Sequence, residues 1–249
     1  MARYLMKLNM LAISLLISVG SGGCGKGEFT ETSGHAEQAE TETVEPKMAL
    51  PTTAHPEVEG WKDLFDPDLS DAIFEPGGWV MEDGVLRAED HGTIWTNESY
   101  ADFVLDFEFK VAPEANSGVF LRAGDIHDIL SAIEIQIHET SDGGKYGMVG
   151  AIYDAKPPSK SMGKPAGEWN RFTISCLDGR IYLVFNGEQV HDADLTDWDE
   201  AHKNPDGTRN KFSVPLKDYA RSGPIGFQGI HGEEGQLVWF RNIKIRVLE

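Results

Sequence analysis

A chain of 249 residues is long enough for one large β domain or two small ones. It carries 41 acidic residues against 22 Lys and Arg, a formal net charge of −19. A surface of that sign repels phosphate backbones and anionic lipid headgroups, which excludes nucleic acid as an expected partner while leaving neutral ligands and divalent cations open.

Arg3 and Lys7 open the chain with positive charge, and an apolar run from Met10 to Val19 follows, broken only by Ser14 and Ser18. That run falls well short of the roughly 20 residues that span a bilayer, so residues 1–23 read as a signal peptide. The segment Ser21-Gly22-Gly23-Cys24 resembles the bacterial lipobox, departing from it at Ser21, where an aliphatic residue is usual. The expectation is a protein exported to the bacterial cell envelope, periplasmic or outer, and lipid-anchored through Cys24. The alternative is an ordinary signal peptide followed by an incidental Cys. Residues 24–56 hold Glu28, Glu31, Glu37, Glu40, Glu42 and Glu45 among Thr, Ser and Ala. They bring too little apolar surface to offset ordering, and read as an acidic tether. The folded domain is then 57–249.

From Trp61 onward the signals are β. Asp83-Gly84 sits between Trp79–Glu82 and Val85–Ala88, and Asp178-Gly179 and Asn186-Gly187 separate three further β-prone runs. Such dipeptides accept the positive φ angles of tight hairpin turns. In Phe103–Val111 the residues Phe103, Leu105, Phe107, Phe109 and Val111 share one face, while Asp106, Glu108 and Lys110 share the other, expected to be wet. Runs at 117–122, 132–138, 223–228 and 237–247 bring the count to ten or eleven strands. Only 195–203 suggests a short helical turn. Many short strands without βα alternation predict an all-β sandwich of two antiparallel sheets. Alternation buries Cys176 between strand neighbours, predicting an inert structural thiol and leaving no disulfide.

The informative run is Ala132-Ile-Glu-Ile-Gln-Ile-His-Glu139. Period 2 sends Ile133, Ile135 and Ile137 inward and Glu134, Gln136 and His138 to the opposite face. A carboxylate, an amide and an imidazole in a row suit a sugar, which needs hydroxyl partners and a group able to move a proton. Asn116 and Arg122 flank the run Ser117–Leu121, while Gln228 and His231 lie in a Gly-rich stretch that permits close ligand approach. Trp95, Tyr153 and Trp239 are candidate stacking platforms. The eight His residues show no metal-ligand spacing, so no cofactor is expected, although Asp125 and Asp128 leave a Ca2+ loop open.

Several stretches together resemble the 3-keto-disaccharide hydrolase domain family: Gly60–Phe65, Trp79–Leu86, Asn116–Arg122, Glu134–Ile137, Gly150–Tyr153, Gly167–Arg171, Asn186-Gly187, Gly223–Gln228 and Trp239–Ile245. The resemblance covers residues 58 to 249. It implies a concanavalin A-like jelly roll and action on glycosides oxidised to a ketone at C3. Where that family continues Leu-Asp-Asn after Glu-Ile-Gln-Ile, this chain has His138-Glu139-Thr140. A C3 ketone acidifies C2–H, so a base can remove that proton and the C1 aglycone leaves by elimination, water then completing a net hydrolysis. On this reading Glu134 or His138 is the base, with Glu139 a candidate if a bulge turns it inward. Asn116, Arg122, Gln136, Tyr153, Gln228, His231 and Trp95 would hold the small carbohydrate substrate. Two alternatives stay open. A non-catalytic carbohydrate-binding module needs the same groove without proton chemistry, and a retaining glycosidase would use Glu134 and Glu139 as its carboxylate pair.

Overall fold

A computed structural model describes residues 50–139, 144–233 and 235–248; the expected signal peptide, Cys24 and most of the tether lie outside the described residues. Thirteen strands are present among them: β1 (Lys62–Asp63), β2 (Ala72–Ile73), β3 (Trp79–Glu82), β4 (Val85–Ala88), β5 (Thr93–Thr96), β6 (Phe103–Val111), β7 (Asn116–Leu121), β8 (Ile133–His138), β9 (Asn170–Leu177), β10 (Arg180–Phe185), β11 (Glu188–Asp194), β12 (Gly226–Gln228) and β13 (Val238–Val247). Helix is confined to three single 3-10 turns, one of them at Leu195–Asp197 where the sequence suggested it.

The strands form two antiparallel sheets. The larger runs β11-β10-β9-β6-β13-β4-β3, with β1 also pairing with β13, and the smaller runs β2-β5-β12-β7-β8. Between them lies one aromatic core: Phe107 of β6 meets Phe227 of β12 edge-on, ring centroids 5.3 Å apart, and Phe227 meets Phe240 of β13 at 4.8 Å. Such pairs add specific geometry to large apolar burial. The result is the expected all-β sandwich of two antiparallel sheets. Its hairpins follow the turn chemistry, since Asp83 and Gly84 have φ of 49° and 74°, and Asn186 and Gly187 of 47° and 91°. Cys176 is fully buried, and burial pushes its thiol up to about 12.

Two departures from expectation have physical causes. The sequence reading missed β1, β2 and β5, strands of two to four residues whose ladders are supplied by distant partners. The other departure concerns the polar face of β6, which is not uniformly wet. Asp106 is 2% exposed and accepts hydrogen bonds from Arg171 and Thr173, under a strap formed by residues 51–56. There Ser175 Oγ donates to Pro51 O, Arg171 Nη2 donates to Pro56 O at 2.9 Å, and Gly187 N donates to His55 Nε2 at 2.9 Å. Because Nε2 accepts, His55 carries its proton on Nδ1 and donates it to Thr173 Oγ1. Burial and the nearby Arg171 charge push His55 down to about 4.

Candidate active site

The smaller sheet sends Ile94, Phe227, Val119, Leu121, Ile133, Ile135 and Ile137 into the core. Period 2 therefore places Trp95, Gly226, Phe120 and Glu134 in one cross-strand row on its other face. The next row carries Thr93, Gln228, Gly118 and Gln136, and the one beyond it Asn116 and His138.

Glycine at 118 decides how Glu134 lies. A Cβ added there would stand 2.5 Å from Glu134 Oε1 and 3.0 Å from its Cγ, so the carboxylate rests directly over the bare backbone of β7. Its side chain is 11% exposed. That burial pushes Glu134 up to about 7, against the opposing pull of Lys211. Lys211 Nζ stands 3.9 Å from Glu134 Oε2 and 3.9 Å from the centre of the Tyr153 ring, and burial lowers it from its ordinary value. Position 153 is locked in turn, because residues 150–153 run along the outer edge of β8 and Tyr153 N donates to Glu134 O at 2.9 Å. Gly118 has no positive φ, so alanine there is disfavoured only by the contact with Glu134. Gly118→Ala is expected to cut kcat about 10- to 100-fold by displacing the carboxylate, with a melting temperature that falls far less than a loss of fold would require.

Beside this pair, Gln136 Nε2 donates to Asn116 Oδ1 at 2.8 Å, while Gln136 Oε1 is buried with no hydrogen-bond partner. A buried acceptor left unmatched is costly, and a ligand hydroxyl can satisfy it. Gln228 joins the same row; its backbone oxygen accepts from Ser117 Oγ at 2.8 Å. His231 is exposed at the rim, where its N–H donates to Asn116 O.

Other expected members lie elsewhere. Arg122 follows the last residue of β7 with φ of 53°, and this left-handed turn carries its side chain off the site's face. It donates to Ala101 O and Asp178 O, both at 2.6 Å, and to Asp102 Oδ1 at 3.0 Å, so its guanidinium ties the two sheets together. Trp95 is 4% exposed and stacks on Phe120 at 5.5 Å, which makes it part of a small apolar cluster with Ala123 and Ala132 instead of an open platform. Trp239 lies on the larger sheet, with Lys110 4.6 Å from its ring. Glu139 accepts from Glu114 N at 3.1 Å, and β7 and β8 pair without a bulge from Leu121↔Ile133 to Asn116↔His138. Five residues of strand separate Glu134 from Glu139 by about 16 Å along β8, far beyond the roughly 5 Å of a retaining pair.

His138 shares Glu134's face, some 13 Å along the strand at the usual rise. With Glu139, Met148, Ser161, Lys164 and Asn170 it lines a separate cavity of about 200 Å³, so the 157–164 loop covers that end of β8. Asp125 and Asp128 accept from the backbone N–H groups of His127 and Leu130. Among the described residues no three His, Cys, Asp or Glu side chains gather as a metal site would require.

Lys211 was missed in the sequence. It stands in a Pro- and Asn-rich loop without periodicity, and a buried polar knot presents it: Lys211 N donates to Asp154 Oδ2 at 2.7 Å, and Asn204 Nδ2 to Asp154 O at 3.1 Å. No local spacing signals a contact 77 positions from Glu134.

Comparison with known proteins agrees with this architecture. A family model, the 3-keto-alpha-glucoside-1,2-lyase-like domain, matches residues 60–246. A 3-keto-disaccharide hydrolase of Bacteroides thetaiotaomicron is 27% identical over 207 residues, covering 70% of this chain and 71% of that protein. Among solved structures, a protein of Parabacteroides distasonis ATCC 8503, provisionally classed as a glycosyl hydrolase, is 37% identical with a TM-score of 0.72. The match covers 76% of this chain and 99% of that one. A second from the same organism, classed in the same provisional way, is 25% identical with a TM-score of 0.56, over 88% and 100% of the two chains. With three quarters of its length matched by that model, the chain belongs to the 3-keto-alpha-glucoside-1,2-lyase-like domain family.

Proposed function

We propose that this protein cleaves glycosides that carry a ketone at C3, with Glu134 as the base that removes the C2 proton. The observation that carries the reading is the Glu134 carboxyl lying over Gly118, buried and raised to about 7. A base works best with a pKa near the operating pH. The family match and the 3-keto-disaccharide hydrolase relative support the substrate class.

The steps balance as follows. Glu134 takes the C2 proton, and the C2–H electron pair forms an enolate with the C3 oxygen. Its collapse re-forms the C3 carbonyl, makes the C1=C2 bond and breaks C1–O; the bond pair leaves on the aglycone oxygen, which is protonated by water as Glu134 returns its proton to solvent. Water then adds across the enone, hydroxyl to C1 and proton to C2, for net hydrolysis. Gln136 Oε1, Asn116 and Gln228 meet sugar hydroxyls at the site. The 13 Å from Glu134 to His138 leaves the imidazole to a more distant part of the ligand. A purified, folded protein that leaves 3-keto-glucosides intact overturns this reading. One that binds them unchanged is a binding module.

The activity should carry a clear pH signature. Protonated Glu134 cannot accept a proton, so kcat/KM is expected to rise with pH along a limb centred near 7. Stability runs the other way. The folded carboxyl holds its proton to about 7, against 4.5 for an ordinary glutamate. The native state therefore binds more protons between those values, and stability falls as pH rises through that window, by no more than about 3 kcal/mol. Denaturant melts at pH 5 and pH 8 should show this slope for the wild type and a flatter one for Glu134→Gln.

The start of the chain supports an exported, lipid-anchored protein. Intact mass of membrane-extracted protein is expected to show loss of residues 1–23 and an acylated Cys24; a mature chain with a free N-terminal region and no acyl mass contradicts it.

A further inference from the structure

Proton removal from C2 places a full negative charge on the C3 oxygen, and that charge must be met. Arg122, the cation that the sequence placed at the site, is bonded at Ala101, Asp102 and Asp178 instead. Lys211 occupies the opening left by that assignment. Its Nζ is 3.9 Å from Glu134 Oε2, a distance of ion pairing but not of a hydrogen bond, and no hydrogen-bond acceptor holds it among the described residues. The Tyr153 ring covers one side of it at 3.9 Å.

The loop that carries it is built with unusual care for a surface segment. Asn204 and Asn210 are buried, and Asn204 Oδ1 accepts from Trp198 Nε1 at 3.0 Å and from Asn210 Nδ2 at 2.9 Å. Asn204 and the Lys211 N–H both bind Asp154, whose left-handed φ of 58° follows directly on Tyr153. Tyr153 is registered to the backbone of Glu134. One continuous network thus fixes the base and the cation relative to each other. A cation aimed at a forming oxyanion from such a preorganised mount pays little reorganisation during reaction.

We infer that Lys211 is a catalytic residue that donates to the C3 oxygen and stabilises the enolate formed when Glu134 takes the C2 proton. This role rests on the keto-glycoside reading above. No covalent bond to Lys211 is involved: the ammonium keeps its proton throughout, and as the C1–O bond breaks the C3 carbonyl re-forms and the charge leaves on the aglycone oxygen.

The rival role is a tuning one, in which Lys211 only pulls Glu134 towards its ionised form. The two separate in a pH profile. Removing Lys211 raises Glu134 further, so a pure tuner loses activity near neutrality and regains it at higher pH. An enolate stabiliser stays slow on the plateau.

The test follows release of C2–H from a 3-keto-glucoside in D2O, and cleavage of the same compound, from pH 6 to 10. Lys211→Met is expected to lower both plateau rates about 10²- to 10³-fold, the usual loss for one oxyanion partner, with KM changed less than tenfold. Lys211→Cys treated with 2-bromoethylamine regains an amine of nearly the same reach and should recover at least tenfold of the loss. Cys176 is buried with its thiol at about 12 and stays unmodified, and wild type treated in parallel controls for Cys24. The alkylation arm compares one protein before and after treatment, so it reads out even where Lys211→Met melts early. A Lys211→Met plateau within threefold of wild type, or a Cys variant that alkylation fails to rescue, overturns the role of Lys211 and leaves the proposed function standing. Wild type that neither exchanges nor cleaves the 3-keto-glucoside overturns both.

Discussion

Glu134→Gln is expected to lower kcat by about 10²- to 10⁴-fold, the range typical of losing a general base, while the protein stays folded. Glutamine keeps the shape that fits over Gly118, so the substitution removes a proton acceptor without opening a cavity. It also replaces a carboxyl whose ionised form is penalised by burial, so thermal stability above pH 7 should hold or rise. Steady-state kinetics with a 3-keto-glucoside, alongside a melting curve, separate these effects. A folded Glu134→Gln variant with more than a tenth of wild-type activity would transfer the base to another group.

The second large effect concerns stability and not catalysis. Arg122→Met removes three donors from a buried site and leaves Ala101 O, Asp178 O and Asp102 without their shared partner. Arg122 itself is buried, but Asp102 is 34% exposed and keeps the Asp178 N–H, so the loss is that of the hydrogen bonds made by a buried charge, about 1–3 kcal/mol, and not that of a fully buried ion pair. For a domain of this size that amounts to a melting temperature lower by roughly 3–10 °C. Below the transition, KM for the sugar should stay within about twofold, since Arg122 points away from Gln136 and Glu134. A large rise in KM with an unchanged melting temperature would return Arg122 to the binding face.

These contrasts show how far the residues could be read without coordinates. The Asp-Gly and Asn-Gly turns and the Ile133/Ile135/Ile137 alternation are local signals, and the hairpins and the orientation of β8 followed from them. The polar row of Glu134, Gln136 and His138 also came from local periodicity, and Asn116, Gln228 and Tyr153 do gather beside it. Arg122 and Trp95 were misplaced because alternation alone cannot see where a strand stops or what covers its outer face. A left-handed residue at 122 breaks the period, and the Ala123–Ala132 segment covers Trp95. Asp106 was expected in water for the same reason, since the strap over it comes from positions 51–56, remote in sequence. Lys211 was beyond reach because its position depends on Asp154 and Asn204, a tertiary knot with no periodic trace. Gly118 stood unremarked within the run Ser117–Leu121; its purpose emerges once Glu134 is seen lying on it.

The central claim is that Glu134 abstracts the C2 proton of a 3-keto-glycoside. Proton NMR of a 3-keto-glucoside in D2O tests it most directly. With wild type, the C2–H signal should disappear and the aglycone should appear at matching or slower rate, at pH 7.5 and without added oxidant. With Glu134→Gln, C2–H should persist for at least a hundred times longer. An intact C2–H signal with folded wild type, especially if an unoxidised aryl glucoside is cleaved in the same sample, would contradict the account.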